Sequence, residues 1–375
     1  MRDFIQFIPT NKFVGLLGGW FYEQFFKEYF DYLQQDNLVI LGGNDNDNIS
    51  HSLSGNKSAE LPLHKEQDNN SWIARKDQKF DYWVLYNKVN GTKIRFRFGP
   101  GDPPEKAWAP ELVDMKITDF CNMGCQFCYQ SSTPNGKHGD YEYISSIISE
   151  ISDYGVFELA LGGGTAESHP KFIEILDYAK YRGINVTFTT KSLAWLYDPG
   201  IRKRVLKSIA GFAYSVDCSK QVRKLGAFIE DNSLFSDTEK RNKVNIQVVM
   251  GTISMWEMER ILKECVFWGF RVTLLGFKEV GFGASFKKED YSGWLDVISK
   301  MDRTPEICID TALAKEFEKE LVANNIPRYM FHVDEGKFSC YVDAVQQKIA
   351  PSSYCSQLEF VNCPPKTVIK NFETF

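Results

Sequence analysis

The chain has 375 residues, 43% of them hydrophobic, which suffices for one large domain with appendages or for two domains and excludes a disordered or purely fibrous chain. A net charge of −5 excludes a global positive field that would draw in nucleic acid or an anionic membrane surface. The nine cysteines are odd in number and thinly spread, so a disulfide framework is excluded and a reducing compartment expected.

Residues 13 to 33 open on an apolar stretch broken by Gly15, Gly18 and Gly19. They continue into a helical pattern in which Phe21, Phe25, Tyr29 and Tyr32 share one face, the spacing of core packing. Arg2, Asp3 and Glu23 interrupt this region, so neither a signal peptide nor a spanning helix is expected, and the chain reads as cytoplasmic with no membrane partner. Residues 42 to 71 are rich in Asn, Asp, Ser and Gly and read as a long polar loop carrying His51 and His64. From Phe80 to Phe98 the pattern turns to strands: Thr92, Ile94, Phe96 and Phe98 alternate with Lys93, Arg95 and Arg97 behind Asn90-Gly91. That predicts a hairpin with a tight two-residue turn of positive φ, and a solvated basic face. A Pro/Gly cluster from Gly99 to Pro104 closes this part.

After Pro110 a strand-then-helix rhythm sets in. Candidate strands are Leu112 to Thr118, Val156 to Leu161, Ile184 to Thr190, Gly211 to Val216, Val244 to Met250 and Val272 to Leu275. Between them the helical spacing predicts Tyr141 to Tyr154, Pro170 to Tyr181, Ile201 to Ile209, Lys220 to Glu230 and Met255 to Phe267. Such alternation argues for an α/β fold with a parallel sheet covered by helices. Six units in about 170 residues fall short of the roughly 250 of a complete eight-unit barrel, which predicts a partial (β/α)6 TIM-like barrel over residues 111–284. An N-terminal α+β region, 1–110, precedes it, and a C-terminal extension, 285–375, follows.

The chemistry is announced directly after the first of these strands, in Cys121-Asn122-Met123-Gly124-Cys125-Gln126-Phe127-Cys128. Thiolates are soft ligands suited to iron–sulfur clusters and zinc. Three of them leave one iron of a [4Fe-4S] cube open, the property that separates a reactive site from a structural one. With nine cysteines in the chain, this spacing arises in roughly 0.005 of shuffled sequences. Structural zinc is the alternative reading; it needs a fourth ligand, and the nearest histidine is His138.

The Cys-x3-Cys-x2-Cys spacing, with aromatic Phe127 before the last cysteine, resembles the signature of the radical S-adenosylmethionine (SAM) superfamily. The resemblance implies the partial barrel as core fold and a [4Fe-4S] cluster on Cys121, Cys125 and Cys128. It also implies SAM chelated at the open iron, and reductive cleavage to a 5′-deoxyadenosyl radical that takes a hydrogen atom from a substrate. An electron donor such as a flavodoxin or ferredoxin follows as a partner.

In parallel α/β folds the chemistry gathers at the carboxyl ends of the strands. Gly162-Gly163-Gly164 follows the second strand and looks like the family's Gly-Gly-Glu element for the SAM amino group. Here Thr165 stands at the acidic place and Glu167 two residues late, so a glycine carbonyl or Glu167 is expected to make that contact. By the same resemblance Thr190, Ser215 and Gln247 are expected at the SAM ribose or carboxylate, and Leu275 at the adenine. Cys218 is read as a core or surface thiol, with hydrogen-atom donation as the sharper alternative. In the extension, Ala312 to Val322 has helical spacing and Phe338 to Val342 reads as a strand. Cys308, Cys340, Cys355 and Cys363 are too irregularly spaced for a motif and read as packed thiols, the alternative being the auxiliary cluster of some peptide-modifying members. A ribosomal peptide is therefore the first expected substrate; a nucleoside or small metabolite, or a non-catalytic metal-binding scaffold, stays open.

Overall fold

The computed structural model describes residues 71–77, 79–96, 105–326 and 331–375, and the backbone of two short strands at Ile5–Ile8 and Val39–Leu41. The expected aromatic helix, the polar loop with His51 and His64 up to residue 70, Arg97 and the Gly99–Pro104 cluster lie outside the described residues.

The N-terminal part is a five-stranded sheet of β1 (Ile5–Ile8), β2 (Val39–Leu41), β3 (Trp72–Asp77), β4 (Tyr82–Asn87) and β5 (Lys93–Phe96), in the order β1-β5-β4-β3-β2. The expected hairpin is β4 and β5, paired antiparallel. Its turn differs from expectation. Asn87 Oδ1 accepts the N–H groups of Val89 at 2.9 Å and Asn90 at 3.2 Å, which lengthens the connection to residues 88–92 and leaves Gly91 alone there with positive φ, 74°.

The basic face is not solvated. Lys93 and Arg95 are buried; Lys93 pairs with Glu158, and Arg95 grips both oxygens of Glu111 at 2.7 Å with its guanidinium 3.5 Å above the Phe338 ring. Arg75, also buried, donates to the carbonyls of Ala109 and Pro110 at 2.9 Å. Charges taken out of water need such partners. The alternation was right about the strand; which neighbour its polar face would meet lay in Glu111 and Glu158, far along the chain.

The second sheet has ten strands. β6 (Leu112–Thr118), β7 (Glu158–Gly163), β8 (Asn185–Thr190), β9 (Gly211–Ser215), β10 (Val244–Val249) and β11 (Arg271–Leu275) lie side by side in chain order, all parallel. These are the six expected strands. β12 (Ile307–Ile309) adds a seventh parallel strand beside β11, and β13 (Ser339–Asp343) returns to pair in parallel with β6. β14 (Lys348–Ala350) and β15 (Val361–Asn362) finish that edge antiparallel. The sheet thus runs on past residue 284 into the C-terminal part.

The crossing helices are α1 (Tyr141–Asp153), α2 (Phe172–Tyr181), α3 (Pro199–Ser208), α4 (Ser219–Asp231) and α5 (Met255–Trp268). Their ends are written locally. Asp140, Asp198 and Ser254 accept backbone N–H groups of the first turns of α1, α3 and α5, and Gly269 closes α5 in the left-handed conformation. Where α4 meets α5, Gly226 lies so close to Trp268 that a Cβ would come within 2.1 Å of its ring.

One pattern shapes the interior. A parallel sheet buried on both faces reads as continuous apolar runs. Here only alternate residues are apolar and buried: Val113, Met115 and Ile117, then Leu159 and Leu161, Val186 and Phe188, Phe212 and Tyr214, Ile246 and Val248, Val272 and Leu274. They form one core against the helices. The opposite face carries Asp114, Lys116, Thr187, Thr189, Ser215, Gln247 and Thr273 and surrounds open space.

Candidate active site

Open space of about 560 Å³ lies on this polar face and at the carboxyl ends of the strands. Cys121, Cys125 and Cys128 border it together with Phe127, Gly162, Gly163, Gly164, Thr165, Thr190, Ser215, Gln247 and Leu275. The fold therefore brings all the expected site residues to one cavity.

The cysteine loop leaves β6 and is held by backbone. Cys121 N–H donates to Thr133 O at 2.9 Å, Cys128 N–H to Cys125 O at 3.2 Å, and Phe282 N–H to Cys128 O at 2.9 Å. The glycine run braces it from β7. Gly164 N–H donates to Thr118 O at 2.8 Å, and a Cβ on Gly164 would sit 2.0 Å from Phe120 O. Gly163 has φ +119°, a conformation that glycine alone tolerates well. Two of the three glycines thus serve close approach to the cysteine loop. Gly162 has open space where a side chain would go.

The donor set fits an iron–sulfur cluster. Three thiols share one short loop and one cavity, and two of them already have polar neighbours: Thr165 Oγ1 lies 3.6 Å from Cys121 Sγ, and Lys191 Nζ 3.4 Å from Cys125 Sγ. Hydrogen bonds to cluster sulfurs are among the levers that set such a site's potential. Burial pushes the Cys125 thiol up, and the Lys191 ammonium pulls it back. Lys191 also pairs with Asp217 at 2.6 Å and lies 5.1 Å from the Phe127 ring centre. Among the described residues no histidine lines the cavity that the three thiols border, so none stands there as a fourth ligand for zinc; His138 Nδ1 meets Thr118 Oγ1 at 2.8 Å.

Around the expected SAM site, Ser215 Oγ lies 3.3 Å from Gln247 Oε1, leaving the Gln247 amide N–H groups to the cavity. Thr190 borders the cavity too, but its hydroxyl is engaged away from it. Its Oγ1 is 2.5 Å from Glu167 Oε1 and 2.7 Å from Ser192 O, and it accepts Ser192 N–H at 2.9 Å. Strand alternation instead presents Thr189 to the open face. Glu167 stays with Thr190, its Oε2 buried without a partner, and burial raises its pKa from 4.5 to about 7. With Glu167 protonated its acid hydrogen goes to Thr190 Oγ1, whose own hydrogen goes to Ser192 O, so the chain of donors closes.

The far side of the cavity holds residues that motif reading missed. Asp114 is open to the cavity yet enclosed by the barrel, and burial raises its pKa from 3.8 to about 6. Lys278 Nζ lies between the rings of Tyr129 and Tyr354, 4.4 and 4.5 Å from their centres. Tyr354 donates to Glu335 at 2.5 Å, and Asp310 Oδ1 accepts Gly276 and Leu313 N–H at 2.8 Å. Asp114 and Lys116 did carry a signal, as charges at alternate positions of a parallel strand; Lys278 and Tyr354 carried none.

None of the four C-terminal cysteines borders the cavity. Cys340 and Cys363 are buried in the main core, Cys308 sits in β12, and Cys355 donates to Ser352 O at 3.2 Å. Among the described residues no group of three or more His, Cys, Asp or Glu is placed to hold a single metal ion. Nor is any described helix long and apolar enough to cross a membrane.

Residues 115–211 match the Radical SAM superfamily. The mycofactocin maturase MftC of Mycobacterium ulcerans (strain Agy99) is 33% identical over 104 residues, 27% of this chain and 27% of that protein. The sporulation killing factor maturation protein SkfB of Bacillus subtilis (strain 168) is 28% identical over 90 residues, 24% of this chain and 22% of that protein. The chain spans about a quarter of the length of the curated relatives it matches. In fold it is similar to Streptococcus suis SuiB bound to S-adenosylmethionine, at TM-score 0.59 and 14% identity over 80% of this chain and 87% of that one. A second structure, SuiB bound to precursor peptide SuiA, gives TM-score 0.54 at 13% identity over 73% of this chain and 80% of that one.

Proposed function

We propose that this chain, which belongs to the radical SAM superfamily through residues 115–211, is an enzyme that cleaves SAM and modifies a ribosomally made peptide. The observation that carries the reading is the convergence of Cys121, Cys125 and Cys128 with the polar ends of β7 to β11 on one cavity. Those three thiolates would hold a [4Fe-4S] cluster, which when bound supplies the electron that breaks SAM into methionine and a 5′-deoxyadenosyl radical. The chain's own work is to hold, orient and enclose. Lys191 and Thr165 set the charge around the sulfurs, while Gly162, Ser215, Gln247 and Leu275 are assigned to SAM. Phe127 packs with its ring centre 5.6 Å from that of Phe286, which anchors the end of the cysteine loop. The C-terminal part contributes Asp310, Glu335 and Tyr354 to the cavity and is assigned to the substrate side.

The peptide is supported by the maturation names of the relatives and by the precursor bound to SuiB. A small reductant such as a flavodoxin or ferredoxin would supply the electron, and a reducing cytoplasm suits the thiols. The test is formation of 5′-deoxyadenosine by anaerobically reconstituted protein with SAM and dithionite. The reading predicts its formation in the wild type and its loss in each of Cys121→Ala, Cys125→Ala and Cys128→Ala. Colourless protein carrying one zinc and forming none contradicts it.

A further inference from the structure

Four carboxylates border the cavity, and three are committed. Asp217 is paired with Lys191, Asp310 caps a helix with its Oδ1, and Glu335 accepts the Tyr354 hydroxyl. Asp114 has neither a hydrogen bond nor an ion pair with any described residue. Of the three ammonium groups there, Lys116 pairs with Asp119 and Asp343, Lys191 with Asp217, and Lys278 rests between two tyrosine rings. Asp114 is therefore a carboxylate exposed to the cavity and not directly paired, with the Lys278 ammonium acting on it only from a distance.

Its position says what. In the sheet Asp114 lies in register with Ala160 of β7 and Tyr341 of β13, and the short Ala160 side chain leaves the carboxylate uncovered on that flank. It is four residues below Thr118, roughly 13 Å down the strand from the end where the cysteine loop begins, and two residues below the level of Gly162. That depth places it on the side of the cavity away from the cysteine loop. A carboxylate that faces a cavity without a direct partner gains most from a cationic group that brings hydrogen bonds with it.

We propose that Asp114 is a specificity-determining residue that receives an ammonium or guanidinium group of the substrate, so that the modified segment carries a lysine or arginine side chain. The proposal rests on the function proposed above only for the identity of the cavity as the substrate's.

The test is calorimetric titration of the reconstituted protein, saturated with SAM, using acetyl-Gly-Xaa-Gly-amide tripeptides with Xaa as Lys, Arg, Leu or Glu. The wild type binds the Lys or Arg peptide about tenfold or more tighter than the Leu peptide, as a charge-assisted hydrogen bond requires. Asp114→Asn loses that preference, and Asp114→Glu, which keeps the charge, retains it. Melting midpoints and iron content identify any variant that has not folded. A wild type without preference, or Asp114→Asn with the preference intact, overturns the proposal. So does a fall in SAM affinity in Asp114→Asn, which would assign the carboxylate to the cofactor. If the wild type prefers basic peptides yet forms no 5′-deoxyadenosine, the functional reading fails while the role of Asp114 stands. If it forms 5′-deoxyadenosine without preference, the reverse holds.

Discussion

Replacing Glu167 by glutamine isolates the one carboxyl beside the glycine run whose second oxygen is buried without a partner. In the folded chain burial lifts its pKa from 4.5 to about 7, so the native state holds this proton more tightly than the unfolded state does. The sign follows: the stabilisation is full below pH 4.5 and is lost as pH rises through 7, where the folded state must carry a buried negative charge. At 1.36 kcal/mol per pH unit, the rise amounts to about 3 kcal/mol. Glutamine keeps the shape and a hydrogen-bonding group and has nothing to ionise. For a chain of this length that difference moves the melting midpoint by about 5 °C. Melting of wild type and Glu167→Gln, both reconstituted under argon, is compared at pH 4.5 and pH 8. The wild type is expected to lose about 5 °C relative to the variant between the two. Parallel pH profiles, or a gap that opens in the other direction, would refute the reasoning.

Gly164→Ala places a Cβ 2.0 Å from Phe120 O and so displaces the backbone leading into Cys121. We expect a cost of about 1–3 kcal/mol and less than half of the wild-type iron after reconstitution, measured per chain; full iron retention contradicts the bracing role of the glycine run. Glu111→Gln leaves Arg95 buried against an uncharged partner and should cost about 3–5 kcal/mol, read as a lowered melting midpoint. An unchanged midpoint would mean that the N-terminal sheet is not docked through this pair. Cys340→Ala and Cys363→Ala remove thiols packed in the core, so stability should fall while iron per chain stays the same. Loss of about four irons would instead indicate an auxiliary cluster.

Much of the fold was legible because the strands between residues 112 and 275 are long enough to show their period and are punctuated by good caps. Val244 and Met255 begin their elements where the pattern placed them. Ile307–Ile309 was missed because three residues show no alternation, and β13 gave no local sign that it would return to β6. Long-range pairing is decided by partners that a local window does not contain. The same holds for Lys93 and Arg95, whose polar face meets acids instead of water. At the site, the cysteines and glycines were readable because their chemistry is bound to their spacing. Thr190 was assigned by resemblance, although the phase of Val186 and Phe188 in β8 already turned it toward the helix side and Thr189 toward the cavity. Asp114 was readable in the same way, as a charge on the face opposite Val113 and Met115.

The central claim is that the three-cysteine loop leaves an iron for SAM to bind. Electron paramagnetic resonance of the reduced, reconstituted protein before and after addition of SAM tests it most directly. The account predicts a signal of a [4Fe-4S] centre whose line shape changes when SAM is added, and no such signal once Cys121, Cys125 and Cys128 are all alanine. A spectrum that SAM leaves unchanged, or a cluster signal that survives the triple substitution, would contradict it.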